Sequence, residues 1–243
     1  MNQAAAGQRR LLAAALARAG AWLLEPAEPR GLGEPPAPAP GAYRSVLCVF
    51  GLGRGCGVST VARALAAQLA ARDDAGAAAV ACPVAGGGLP LAFPAASRLA
   101  RTLADLPGAR TRAVGRLCLV DGAEQLALAD TARFHAPLVI DGGSAEVGGA
   151  PASVADHVLL VATPALAPAL ADVVAACLSR AGPPPLVVLN RGREGGPEHW
   201  QARADVVLPD SRLAARLALA GREPPGGLGD AVAELAERCG GGG

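Results

Sequence analysis

Gly51-Leu52-Gly53-Arg54-Gly55-Cys56-Gly57-Val58-Ser59-Thr60 is the stretch that decides the fold. It follows the apolar run Val46 to Phe50 and leads into Val58, Val61, Leu65 and Leu69, which recur at helical spacing. A strand, a glycine-rich turn and a helix N-terminus in that order are the context of a phosphate loop. Glycines let the backbone approach an anion, and the free N–H groups and the helix dipole hold negative charge. Ser59 or Thr60 would then supply the hydroxyl for a magnesium ion. A plain strand-to-helix turn is the competing reading, because such turns are common in α/β chains. The usual loop ends Gly-Lys-Ser/Thr, and here Val58 stands at the Lys position.

Outward from the loop, short apolar runs recur at Ala77 to Ala81, Leu117 to Val120, Leu138 to Ile140, Val158 to Val161 and Leu186 to Leu189. Runs apolar on both faces suit buried parallel strands. Helix-like segments such as Thr60 to Arg72 and Ala165 to Arg180 lie between them, and Ala231 to Arg238 closes the chain. This alternation predicts an α/β fold: a mostly parallel sheet with helices on both faces, a three-layer Rossmann-like sandwich. Three units are expected: an amphipathic helix within residues 1–25, a Pro/Gly-rich linker over 26–42, and the α/β domain over 43–240.

The composition sets limits. At 243 residues with 51% hydrophobic and only 2% aromatic content, the chain can bury a large aliphatic core. All 22 basic residues are Arg, which with the Ala, Gly and Pro excess points to the codon bias of a G+C-rich genome. A net charge of +1 carries no strong nucleic-acid signal. The six cysteines are scattered without a CxxC pair, and several sit in apolar runs as small hydrophobes. No secretory signal and no apolar run of membrane-spanning length stand out, so the expected compartment is the cytosol.

Five fragments in the right order give a family resemblance from about Tyr43 to Arg238. Gly55, Gly57, Ser59 and Thr60 fall on the deviant Walker A loop of the ParA/MinD-type ATPases. Leu138-Val139-Ile140-Asp141-Gly142-Gly143 resembles their second Walker motif, whose carboxylate organises magnesium through water. Ala155-Asp156-His157-Val158 to Pro164 resembles the family's ADxVxxVxxP strand, and Val187-Val188-Leu189-Asn190-Arg191 the strand ending in Asn-Arg. Leu208-Pro209-Asp210 followed by Gly221 resembles the late IPxD…G segment. The resemblance implies a P-loop domain that binds ATP or ADP with Mg2+. Gly53, Arg54, Gly55, Cys56, Gly57, Val58, Ser59, Thr60 and Asn190 would contact the nucleotide, and Ser59 and Asp141 the metal. It also implies a homodimer-forming switch with a protein partner of unknown identity, in the positioning of pilus, septum or chromosome-partitioning machinery. The TadZ/CpaE group, with atypical loops of its own, is the nearest subgroup.

Departures from the pattern bear on activity. The family's signature Lys aligns with Gly53, beside Arg54, and the loop Lys with Val58. The first switch reads Cys82-Pro83-Val84-Ala85-Gly86-Gly87-Gly88, with no carboxylate to orient water. Catalytic residues are therefore unassigned, and the expected function is a nucleotide-binding regulator or scaffold with little or no hydrolysis. The alternatives are an active Mg2+-dependent ATPase with Arg54 as surrogate cation, and an interaction protein that keeps only the fold.

Other residues carry weaker readings. Cys56 sits near a helix N-terminus, which can lower a thiol pKa, but a small residue is expected in such a loop and that plainer reading is preferred to a redox role. Asp121 lies on the loop's edge of the sheet or caps the next helix. Asp73 and Asp74 read as solvated helix-end residues. Trp200 and Glu198 read as a surface loop, anchoring it or covering a base. His135, His157 and His199 share no ligand spacing. Residues Gln8 to Leu24 set Leu11, Leu12, Leu16, Trp22 and Leu23 against Arg9, Arg10 and Arg18, an amphipathic helix for protein docking, with weak membrane-surface contact as the second choice.

Overall fold

A computed structural model describes residues 43–73, 76–81, 98–145, 150–192 and 197–240. The amphipathic segment Gln8 to Leu24, the linker, Asp74, and the first-switch residues Cys82 to Gly88 lie outside the described residues. Eight strands form one sheet: β1 (Val46–Gly51), β2 (Ala78–Ala81), β3 (Arg110–Val114), β4 (Leu117–Asp121), β5 (Leu138–Ser144), β6 (His157–Ala162), β7 (Leu186–Gly192) and β8 (Val206–Pro209). Their order is β3-β4-β2-β5-β1-β6-β7-β8, and every neighbouring pair is parallel except β3 with β4.

The helices are α1 (Val58–Arg72), α2 (Arg98–Ala104), α3 (Gln125–Ala132), α4 (Pro168–Leu178), the single turn α5 (Glu198–Gln201), α6 (Arg212–Leu219) and α7 (Gly226–Gly240), with a 3-10 turn at Ala150–Val154. Two apolar layers flank the sheet. One packs α1, α6 and α7 against Leu47, Val49, Val80, Val139 and Val161; the other packs α2, α3 and α4 against Val46, Cys48, Phe50, Leu138, Ile140 and Leu160. Side chains alternate between the layers because strand residues point to opposite faces with period two. Helix α1 crosses the centre on small residues (Ala62, Ala64, Ala66, Ala67 and Ala70 are buried), so Leu65 and Leu69 reach the sheet closely.

All six strands expected from the sequence are present, as are the expected helices after β1 and β6 and at the C-terminus. Strands β3 and β8 are additions. β3 alternates charged and small residues at an edge, RTRAV, and β8 is four residues long. Charge on the edge strand β3 discourages further pairing and hides it from a search for apolar runs, whereas β8 is hidden by its shortness. The motif residue Asp156 works at the edge of the sheet opposite the phosphate-type loop. Its Oδ2 accepts from Val46 N at 2.8 Å and its Oδ1 pairs with Arg133 at 3.2 Å, fixing the start of β1. Asp205 does the same for β7, accepting from Val187 N at 2.7 Å.

Three expectations need correction. Asp73 is not solvated: it closes α1 and pairs with Arg44 at 2.9 Å. Asp121 does not cap α3, because Glu124 accepts from the Leu126 and Ala127 N–H groups; the buried Asp121 carboxylate instead pairs with Arg110 across the β3–β4 hairpin. Trp200 is not a surface residue that covers a base. It is fully buried in the second apolar layer, while Glu198 beside it is exposed.

Candidate functional site

The chain runs from β1 to one side of the sheet, returns through β5, and then continues to β6, β7 and β8. The direction of winding reverses around β1, and ligands in such sheets lie beyond the carboxyl ends of the strands at that reversal. The glycine-rich loop starts there. Leu52 N donates to Val161 O at 2.8 Å, which ties the loop to β6. Gly57 begins α1 with φ of 89°, and its carbonyl accepts the first helical bond from Val61 N at 3.0 Å. No side chain caps this end. The N–H groups of the first turn therefore have no helical partner and form a ready anion site.

Two long-range contacts set the site's chemistry. Ser59 Oγ donates to Asp141 Oδ2 at 2.6 Å, joining the first turn of α1 to the end of β5. Gly143 N donates to Asp141 Oδ1 at 3.2 Å, so both carboxylate oxygens are held. Asp141 is buried, and its charge adds to burial in raising the thiol pKa of neighbouring Cys48. Gly142 has to be glycine, since a Cβ there would meet the Phe50 ring at 2.7 Å.

From the other flank, Asn190 at the end of β7 donates through Nδ2 to the Cys56 carbonyl at 2.7 Å, and its Oδ1 accepts from Arg191 N at 2.9 Å. The amide sits so close over Gly57 that a Cβ there would collide with Nδ2. Asn190 thus holds the loop. A side-chain amide has two N–H donors and two lone pairs, so one of each stays available for a base contact.

Val58 carries no charge to the site. Its side chain packs against the first apolar layer, and its Cγ2 lies 2.7 Å from where a Cβ on Gly51 would stand. Gly53 and Thr60 are half-buried, whereas Arg54, Gly55 and Ser59 are exposed at the rim. Cys56 is buried, and burial pushes its thiol up, with backbone N–H groups and the Arg191 charge pulling back less strongly. Desolvation outweighs the helix N-terminus here, so Cys56 serves as a small buried loop residue.

Arg191 ends a motif strand in the sequence, where it is given no role of its own. It is exposed, its charge is felt at Cys56, and its φ of 58° is the only left-handed one among the described non-glycine residues. Its type gives no such signal, because Asn and Gly are the usual occupants of that conformation. The histidines make no cluster, and no group of three or more His, Cys, Asp or Glu residues is placed to hold a metal among the described residues. A magnesium ion on a phosphate needs only a hydroxyl and a carboxylate from the protein. Ser59 and Asp141 fit it.

No family model and no curated protein matches the chain. Solved structures do. A ParA family ATPase from Chlorobium tepidum TLS superposes with a TM-score of 0.58 at 17% identity, covering 80% of this chain and 98% of that one. A chain of the MinC:MinD cell division protein complex of Aquifex aeolicus gives 0.57 at 16%, covering 82% of this chain and 97% of that one. An ATP complex of a McdA variant from Cyanothece gives 0.57 at 14%, covering 83% and 98%. At such identities the likeness speaks for the fold, and with the loop, the Asp141 strand and the eight-stranded order it gives one answer. The chain has the α/β fold of the ParA/MinD-type P-loop ATPases.

Proposed function

We propose that this protein binds ATP or ADP across Gly53–Thr60, with Mg2+ at Ser59 and Asp141, and hydrolyses it slowly or not at all. The observation that carries this reading is the pairing of an intact Ser59–Asp141 contact with an apolar, core-packed Val58. The first-turn N–H groups would hold the phosphates, Ser59 and Asp141 would orient the metal, and Asn190 would keep the loop in shape below the base. Mg2+ would neutralise charge on the phosphate oxygens. The loop lacks the side-chain cation that P-loop enzymes place over the reacting phosphate, and losing one such contact typically costs roughly 3 kcal/mol of barrier.

A site that binds well and turns over poorly suits a regulator or scaffold, acting through a protein partner in the positioning of cellular machinery. The fold supports that role by analogy, since one structural neighbour is a complex of two cell-division proteins. A homodimer that buries the nucleotide is part of the same reading. Titration calorimetry with ATP and ADP, with and without Mg2+, is the test. Saturable Mg2+-dependent binding supports the proposal, and absence of binding leaves a protein that keeps only the fold.

A second reading rests on Arg54, which is exposed in the loop itself and makes no ion pair among the described residues. As a surrogate cation it would make the chain an active ATPase. Turnover abolished by Arg54→Ala would establish that reading.

A further inference from the structure

Strand β7 loses register with its neighbour at its last residues. Asn190 pairs with Leu208 of β8 and Gly192 with Pro209, so Arg191 is one residue more than the partner strand matches. Such a bulge re-aims a side chain, and bulges gather beside active sites. The extra residue stands in the left-handed region, at φ of 58°, where glycine or asparagine is the easy occupant. An arginine there costs backbone strain, and strain of this kind clusters at ligand clamps and active sites.

The bulge is held on both sides. Arg191 N donates to Asn190 Oδ1 at 2.9 Å, and Gly192 lies so close to Val207 that a Cβ there would collide with it. The same Asn190 amide grips the Cys56 carbonyl, so the arginine is carried beside the glycine-rich loop. Its side chain is exposed and makes no ion pair among the described residues.

The order of the strands says which part of a ligand Arg191 meets. Strands β5 and β7 lie on opposite sides of β1. In the proposed nucleotide site, on which this inference rests, Asp141 on β5 draws the metal and the phosphates that share it. The other end of the nucleotide, its sugar and base, then extends toward β7. No described aromatic ring is available there to stack on a base. Phe50 and Trp200 are buried, and Tyr43 and Phe134 pack on each other, Tyr43 lying before the opposite end of β1. A guanidinium is planar and stacks on flat rings, nucleic-acid bases included. We propose that Arg191 lays its guanidinium on the base of the bound nucleotide and clamps it from the β7 side. This contact takes the flat face of the base and leaves the edge to Asn190.

Calorimetry on the full chain tests it with two ligands in the presence of Mg2+: ATP, and tripolyphosphate, which has the phosphates without the base. Arg191→Asn suits the left-handed backbone and removes the guanidinium, while Arg191→Lys keeps the charge and loses the plane. Both variants are expected to bind ATP roughly tenfold more weakly and tripolyphosphate as the parent does. Arg191→Asn should leave the ligand-free melting temperature unchanged or higher, because it relieves strain. A parent that binds ATP while Arg191→Asn binds it equally well overturns the inference and leaves the nucleotide site standing. Tripolyphosphate affinity lost in step with ATP, or full ATP affinity in Arg191→Lys, assigns the arginine to phosphate and overturns it too. A lower ligand-free melting temperature in Arg191→Asn, with both ligands weakened, makes the residue structural only. A parent that binds neither ligand overturns the nucleotide site and this inference together.

Discussion

Asn190 and Cys56, 134 positions apart in the chain, are joined by a 2.7 Å hydrogen bond from the side-chain amide to the backbone carbonyl, and through it β7 holds the glycine-rich loop. A buried carbonyl left without its donor costs about 1–3 kcal/mol. Asn190→Ala is therefore expected to lower unfolding stability by about that amount and to weaken nucleotide binding with it. Denaturant unfolding and calorimetry on the same variant check both halves. An Asn190→Ala protein of unchanged stability that lost only adenine selectivity would mean that the residue serves the base alone.

Ser59 and Asp141 are expected to govern magnesium and not the nucleotide as such. Ser59→Ala and Asp141→Ala should each remove most of the difference between ATP affinity with and without Mg2+, leaving Mg2+-free affinity near the parent value. Binding unaffected by both substitutions would move the nucleotide elsewhere.

Val58→Lys restores a cation at the position where the loop has none. A hydrogen bond to a charged group contributes about 1.5–3 kcal/mol, so ATP affinity should rise by roughly tenfold or more. The substitution withdraws an apolar side chain from the core, and a modest loss of stability should accompany the gain. A Val58→Lys protein that folds and binds ATP no better would show that the loop does not face phosphate.

Buried thiols make the fold sensitive to alkali. Burial raises the pKa of Cys239 from 9.0 to about 11 and also raises Cys48 and Cys56. The folded state therefore keeps these protons more tightly than the unfolded chain does, and that stability is present in full below pH 9. It is expected to fall as pH rises from about 9 to 11, as pH-dependent unfolding will show. By the same burial, exposed Cys177 should react first with a thiol reagent among the described cysteines.

The central strands were legible because each is buried on both faces and reads as an unbroken apolar run; β1, VLCVFG, is buried throughout. Strand β3 was not, since its exposed edge tolerates two arginines and its role is local pairing with β4. In the site, the loop, Ser59 and Asp141 could be found by type and order. The engagement of Asn190 with Cys56 could not, because it depends on how closely β7 passes over Gly57. Burial also decides between the two readings of Cys56: a helix N-terminus lowers a thiol pKa only where water still reaches it.

The central claim is a nucleotide site without effective turnover, and steady-state phosphate release from purified protein with saturating Mg2+ and ATP tests it most directly. The expected result is measurable Mg2+–ATP binding with turnover slower than about one per minute, against the roughly 1–10³ per second of ordinary enzymes. Turnover faster than about one per minute that Asp141→Ala abolishes would contradict it, and loss on Arg54→Ala as well would name Arg54 as the cation that Val58 fails to provide.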